Sequence, residues 1–344
     1  MKEIRTEDAV GHILCHDITQ IIKDEKKGVL FKKGHVVKEE DIPLLLSVGK
    51  EHLFVWEKKP GILHENEAAE ILYKICAGNS SKVHGTEIKE GKIEVVSKID
   101  VILKIRRDAL VAVNSLGEMM IASRHGDFPV KKGDKVAGTR IIPLVIEKEK
   151  MDAAEKAAGN LPIFDILPYQ QKKVGIVTTG SEIKKGLIQD TFTPVLREKL
   201  SGFPTEVTGQ VMPGDDKEEI TKAILSFADA GADLIICTGG MSVDPDDRTP
   251  GGIRDTGAKI VTYGAPVLPG AMLLVAYLER NGRSIPVLGL PGCVMYAKRT
   301  VFDLILPRVM ADDEIKAEEI ARLGEGGLCL NCPVCTFPNC GFGK

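Results

Sequence analysis

Four glycine-bearing turns offer the clearest chemistry in this sequence: TTGSEI at Thr178–Ile183, TGGMSVDPDD at Thr238–Asp247, LPGAM at Leu268–Met272 and LPGCVM at Leu290–Met295. The apolar run DLIIC, beginning at Asp233, reads as a buried parallel strand that stops at Thr238, Gly239 and Gly240. Adjacent glycines permit positive φ and a close backbone approach, and amides freed at a strand end suit a phosphate or another oxyanion. Asp244, Asp246 and Asp247 follow and would repel a bare phosphate. A hard cation such as Mg²⁺, bridging carboxylate and phosphate oxygens, resolves the conflict. Two glycines followed by acids also describe a solvated acidic loop. Three further turns of the same kind within one stretch move the reading to the walls of a single anion-binding pocket.

The C-terminal tail carries a second set. In GGLCLNCPVCTFPNCGFGK, Cys329, Cys332, Cys335 and Cys340 form a C-x₂-C-x₂-C-x₄-C arrangement among glycines and prolines that allow tight turns. Four thiolates so spaced supply either a tetrahedral S₄ set for zinc or the ligands of a [4Fe–4S] cluster. CPVC is the pattern of a zinc knuckle, while uninterrupted C-x₂-C-x₂-C is that of ferredoxin-type ligation, and both metals stay open. Zinc would serve as a folding clip or docking surface, and a cluster would suit redox or oxygen sensing. Disulfides are the competing reading and persist poorly in a reducing compartment. The other cysteines, Cys15, Cys76, Cys237 and Cys293, lack framework spacing and read as reduced thiols.

The elements that position these residues change character along the chain. Residues 1–59 read as a compact β-rich domain closed by Lys58, Lys59, Pro60 and Gly61. Residues 60–150 begin with a helix, ENEAAEILYKICAG, and continue in short strands through KVAGTRIIPLVI. Residues 151–171, within and after EKEKMDAAEKAAGN, read as a helical linker. From 172 to 312 strands and helices alternate: VGIVTT, DTFTPVLREKL, TEVTGQVM, DDKEEITKAILSFADAG, DLIIC, TPGGIRDTG, KIVTY, SIPVLGL and a final helix VMYAKRTVFDLILPRVM. This order predicts an α/β domain, a mostly parallel sheet in three α/β/α layers, preceded by β-rich domains. Ligands of such sheets sit at the carboxyl ends of the strands, where the glycine turns fall. Residues 313–344 form the cysteine tail.

Composition sets the outer frame. The chain has 344 residues, enough for two or three domains, and a formal net charge of −3. That balance gives no nucleic-acid surface. The N-terminal MKEIRTEDAVGH lacks an apolar segment and no run is long enough to span a bilayer, so a cytoplasmic protein without membrane contact is expected. No GxxxxGK[ST], no GxGxxG at the first strand-to-helix turn and no GxSxG elbow is present. The seven histidines show no i, i+4 pairing around an acid.

The region from Val174 to about Val309 resembles the molybdopterin-binding domain of molybdenum-cofactor biosynthesis proteins, in particular the third domain of the molybdopterin molybdenumtransferase family. The family runs through a TGDEL-like turn, a D-S-N-like helix start, SGGVSVGxxD, a PGKP-like turn and LPGNP. Here these stand in the same order as TTGSEI, DTF at Asp190–Phe192, TGGMSVDPDD, LPGAM and LPGCVM. The resemblance implies that the domain holds molybdopterin or its adenylylated form on Thr179, Gly180, Ser181, Glu182, Thr238, Gly239, Gly240, Ser242, Arg248, Pro269, Gly270, Pro291 and Gly292. It also implies Mg²⁺ and catalytic roles at Asp190 and Asp247, molybdate insertion with release of AMP, and a homodimer. From the residues alone, Asp190 has a second reading as a helix N-cap, and the two are compatible. Arg248 could bind an oxyanion bidentately or pair with Asp246 or Asp247.

The sequence also departs from the family. No DGYA-like or MTGA-like segment occurs between His64 and Pro168, Cys293 and Val294 replace the asparagine and proline of LPGNP, and Asp244 replaces a glycine. Pterin binding is therefore better supported than molybdate insertion. The alternative is a non-enzymatic carrier or sensor of the cofactor that uses a cysteine-bound metal to dock to a molybdoenzyme client or to report redox state.

Overall fold

The computed structural model describes residues 2–22, 26–55, 60–242, 244–245 and 247–344. Trp56 to Lys59, Val243 and Asp246, which figure in the expectations above, lie outside the described residues. The chain forms two compact units. The first comprises Met1–Lys98, Ile105–Arg124 and Gly133–Asp165, and the second Ile99–Lys104, His125–Lys132 and Ile166–Lys344. The expected 60–150 segment is thus shared between them, because two short excursions of the chain leave the first unit for the second.

The first unit has two parts. In the N-terminal part, Lys2–Arg5 pairs antiparallel with His52–Val55, and Leu14, Ile18, Leu45, Leu53 and Val55 close a small core. The other part is a four-stranded antiparallel sheet in the order Val83–Gly85, Lys92–Ser97, Lys135–Ile141, Met119–Ser123. The helix Glu65–Ala77 buries Ala68, Ala69, Leu72, Ile75 and Cys76 at helical spacing. The run KVAGTRIIPLVI, expected as one strand, divides into Lys135–Ile141 and Val145–Glu147. Pro143 lies between them and has no N–H for a ladder. EKEKMDAAEKAAGN is helical over Lys148–Ala157, with Met151 and Ala154 buried, and so contributes to packing.

The second unit is built on a six-stranded sheet: β1 (Lys172–Thr178), β2 (Thr205–Val211), β3 (Leu234–Thr238), β4 (Lys259–Tyr263), β5 (Leu274–Arg280) and β6 (Arg283–Leu290). Its order is β2-β1-β3-β6-β5-β4. The first four strands of that order are parallel, and β5 and β4 complete it antiparallel. Helices cover both faces. On one, α1 (Phe192–Leu200) and α4 (Val301–Met310) pack on Val174, Ile176, Leu234, Ile236 and Leu288. On the other, α2 (Lys217–Asp229) and α3 (Thr249–Asp255) pack on Val177, Ile235, Cys237 and Val287. Because side chains alternate along a strand, the unbroken apolar runs VGIVTT and DLIIC serve both faces.

The final helix is shorter than its apolar pattern predicts. Gly292–Met295 is a separate 3₁₀ turn and α4 begins at Val301. Thr300 sets that start: its Oγ1 accepts from Phe302 N at 3.2 Å, and its own N–H donates to Asp303 Oδ2 at 2.9 Å. A capping box of this kind fixes a helix end against a continuing hydrophobic pattern. The short segments 99–104 and 125–132 join the second unit by pairing Ile102 with Pro129 and Val101 with Val130, and Phe128 enters its core.

Gly175 in β1 shows how tightly α2 is seated. A Cβ built there falls 2.4 Å from Cγ of the buried Phe227 ring. Gly175→Ala is expected to destabilise the second unit by about 1–3 kcal/mol through overpacking, read as a lower urea midpoint with an unchanged slope.

Candidate functional site

The turns gather at one edge because the strands that precede them end in register. Thr178, Thr238 and Leu290 are cross-strand neighbours on β1, β3 and β6. The fourth turn, Leu268–Met272, precedes β5, whose Leu274 pairs with Gly289. The four sequence-predicted turns are thus brought to the same end of the sheet, the carboxyl end of its parallel strands.

Local bonds lock two of them together. Thr179 donates its N–H to Thr238 O at 2.8 Å, and its hydroxyl lies 2.9 Å from that of Thr249, which donates to Gly239 O at 2.8 Å. Gly239 and Gly240 have φ of +82° and +52°. A Cβ on Gly239 would lie 2.4 Å from Thr179 O, so glycine is required there by both conformation and space. Tyr263 reaches over from β4, its hydroxyl within hydrogen-bonding distance of Met241 O (3.0 Å) and Ser242 O (3.1 Å). Burial raises the pKa of that phenol, and the negative charge of Asp247 adds to the shift.

Within this frame Thr238 Oγ1 is buried and has no hydrogen-bond partner among the described residues. An unmet buried hydroxyl at a strand end is where a ligand or an ordered water belongs. Gly292 provides a second opening. Nothing lies within 4 Å of a Cβ built on it, and its φ is not in the left-handed region. By contrast Gly270, at φ +130°, would bring a Cβ to 2.5 Å from Val301 Cγ1. Its glycine lets the Pro269 turn pack on the start of α4, where Val301 N–H donates to Pro269 O at 3.1 Å.

The acids are placed apart. Asp190 Oδ1 accepts from Phe192 N (2.9 Å) and Thr193 N (3.1 Å), and Oδ2 accepts from Gln210 Nε2 (2.6 Å). Burial works to raise its pKa, but the bonds from Thr193, Gln210 and the two amides outweigh it and hold the carboxyl below its usual range. With three donors on it, Asp190 fits a helix cap and is poorly disposed to ligate magnesium. Asp247 bonds to Asp244 N (3.2 Å, through Oδ2) and donates its own N–H to Asp244 O at 2.9 Å, closing a small acidic loop. Among the described residues, no three histidine, cysteine or carboxylate side chains are disposed to hold a metal ion. Ser181 N donates to Asp215 Oδ2 at 2.7 Å, while Glu182, Ser242 and Arg248 are exposed around the edge. Gln210, Asp215, Thr249 and Tyr263 are the residues that sequence reasoning missed. The only hint was their position at strand or helix ends.

The cysteine tail is tied to the same region. Leu268 N–H donates to Gly327 O and Cys329 N–H donates to Leu268 O, both at 2.8 Å. Cys329 and Cys340 lean on the core, whereas Cys332 and Cys335 are exposed. All four line one cavity of about 220 Å³, together with Lys298, Arg299 and Phe337. A backbone hydrogen bond from Phe337 and a side-chain bond from Arg299 hold the Cys335 thiol below its ordinary pKa.

Residues 175–311 match the family described as "Probable molybdopterin binding domain", and residues 3–57 match "Domain of unknown function (DUF8806)". Residues 175–311 thus carry the features of a molybdopterin-binding domain. A molybdopterin molybdenumtransferase of Haemophilus influenzae is 27% identical over 234 residues, 65% of this chain and 54% of the relative, so the chain spans about half the length of that protein. A molybdopterin adenylyltransferase of Pyrococcus furiosus is 27% identical over 137 residues, 37% of this chain and 80% of the relative. Among solved structures, the molybdopterin biosynthesis enzyme MoaB of Thermus thermophilus is 27% identical, with 40% of this chain and 91% of that one covered and a TM-score of 0.33. Residues 175–311 lie wholly in the second unit and include the four glycine turns.

Asp190→Ala removes the cap and is expected to cost about 1 kcal/mol at neutral pH, without ligand or metal present. Since the native carboxyl is held below its usual range, its stabilising effect is present above the unfolded pKa and is lost as pH falls through the native value. Urea unfolding of both proteins checks this: the difference between them narrows on acidification below the ordinary carboxylate range.

Proposed function

We propose that this chain acts in molybdenum-cofactor biosynthesis by binding molybdopterin, or its adenylylated form, at the carboxyl edge of the β1-β3-β6 sheet. The observation that carries the proposal is the register of Thr178, Thr238 and Leu290, which sets three glycine turns side by side around the unpartnered Thr238 hydroxyl. Phosphate oxygens on these turns would meet backbone amides and that hydroxyl, with Arg248 available at the rim. The names and sequence likeness of the relatives support a molybdenumtransferase-like reaction: the phosphoanhydride of adenylylated molybdopterin is cleaved, AMP leaves and molybdate enters the dithiolene. The chain's part in this is to position the phosphates and screen their charge. Magnesium at Asp190 is not part of the proposal, because the carboxylate is taken by three N–H donors. Asp247, on its exposed loop, is the acid left to meet a metal–phosphate pair.

A second reading, a carrier or sensor without turnover, is favoured by the missing DGYA-like and MTGA-like segments and by the cysteine tail. In that reading the tail docks to a molybdoenzyme client or reports redox state. Both readings place the protein in the cytoplasm, as a homodimer by analogy with the transferase. No helix among the described residues is long and apolar enough to cross a membrane.

Gly292→Ala separates binding from folding, since the added methyl meets no protein atom. The variant is expected to unfold as the parent does and to bind adenylylated molybdopterin at least about tenfold more weakly, the loss of one or two close phosphate contacts. Anaerobic titration followed by AMP release reads both steps. Release of AMP with loaded cofactor assigns the transferase, and tight binding without release assigns the carrier. Unchanged affinity in the variant removes the pterin from this edge.

A further inference from the structure

The cavity in the tail discriminates between the metals that its spacing leaves open. A tetrahedral zinc site with Zn–S near 2.3 Å draws its sulfurs to about 3.8 Å of one another and leaves no interior space. Here Cys329, Cys332, Cys335 and Cys340 stand around an opening of about 220 Å³. Water occupies about 30 Å³ per molecule in the liquid, so the space is that of several atoms, not one. A cubane cluster needs this arrangement, because each thiolate binds a different iron at a corner of an inorganic core.

The wall also suits that occupant in charge. Lys298 and Arg299 line the cavity, and no carboxylate does. Arg299 Nε is buried and has no partner among the described residues, although Nη1 of the same guanidinium donates to Asp303 Oδ1 at 2.8 Å. Its Cζ also sits 5.0 Å from the centre of the Phe337 ring, which fixes the side chain at the cavity edge. The Arg299 guanidinium already bonds to the Cys335 thiol, and hydrogen bonds to cluster sulfurs are among the features that set a cluster's potential. Phe337 and Phe342, with ring centres 6.2 Å apart, shield one side from water.

We propose that Cys329, Cys332, Cys335 and Cys340 ligate a [4Fe–4S] cluster in this cavity. Ligation releases the four thiol protons, and a cluster core of charge 2+ with four thiolates leaves a site of net charge 2−, which Lys298 and Arg299 offset. Dithionite, as a one-electron donor, would take such a core to 1+ and change no covalent bond of the protein. The inference stands on the cysteine cavity and is independent of what the glycine turns bind.

Anaerobic reconstitution of the full chain with ferrous iron, sulfide and a thiol reductant tests it. The expected product is brown, carries about four iron and four sulfide per chain, and after dithionite shows the paramagnetic signal of a reduced cubane. Cys332→Ser and Cys335→Ser, both at exposed positions, should fold as the parent does and lose most of that iron, whereas Cys293→Ser, outside the cavity, should keep it. Uptake of a single zinc with no iron incorporated, or iron retained at parental level in both serine variants, overturns the proposal.

Discussion

Asp303 is the contact on which the functional end of the second unit depends. It is nearly buried, with 6% of its side chain exposed, and both Lys199 Nζ and Arg299 Nη1 reach its Oδ1 at 2.8 Å. Its other oxygen receives Thr300 N–H and so fixes where α4 begins. Removing this carboxylate would leave two neighbouring cations without their counter-ion and the start of α4 uncapped. Three features converge on it. Lys199 brings in α1, which follows the Asp190 cap. Thr300 and Val301 bring in the Gly270 turn. Arg299 brings in the cysteine cavity. One acid therefore ties the glycine-turn edge to the tail.

The glycines at the edge divide by physical cause. Gly239 and Gly240 are demanded by left-handed backbone and by the Thr179 and Thr249 oxygens beside them, and Gly270 by the close approach of Val301. These keep the turns in place whether or not a ligand is bound. Gly292 has neither constraint: it is exposed and a Cβ there would meet no protein atom. Sequence spacing treats the four turns alike, whereas their surroundings differ.

What the sequence made legible was local and periodic. The apolar runs VGIVTT and DLIIC, the alternation with amphipathic helices and the glycine turns led to the parallel sheet and to the end where its site lies. What it hid depended on contacts between residues far apart in the chain. Gln210 lies on a neighbouring strand, and only the folded sheet brings its amide to Asp190 beside the two helix amides that the carboxylate caps. The start of α4 was obscured because VMYAKRTVFDLILPRVM is apolar at helical spacing throughout, and a single capping box overrides the pattern. The excursions at 99–104 and 125–132 look like ordinary hairpin segments. Their membership of the second unit rests on Phe128 finding its place in that core. The cysteine spacing was plain, yet the cavity it encloses needs Lys298 and Arg299 from a different part of the chain.

The tail and the pterin edge share backbone as well as charge. Leu268 both donates to Gly327 O and accepts from Cys329 N–H, and it is also the residue that begins the LPGAM turn. On the other side, Gly292 and Arg299 stand at two ends of one short connection from β6 to α4, the first on the pterin edge and the second on the cysteine cavity. Leu268 and the 291–300 connection are thus the two backbone segments that link the glycine turns to the cysteine tail.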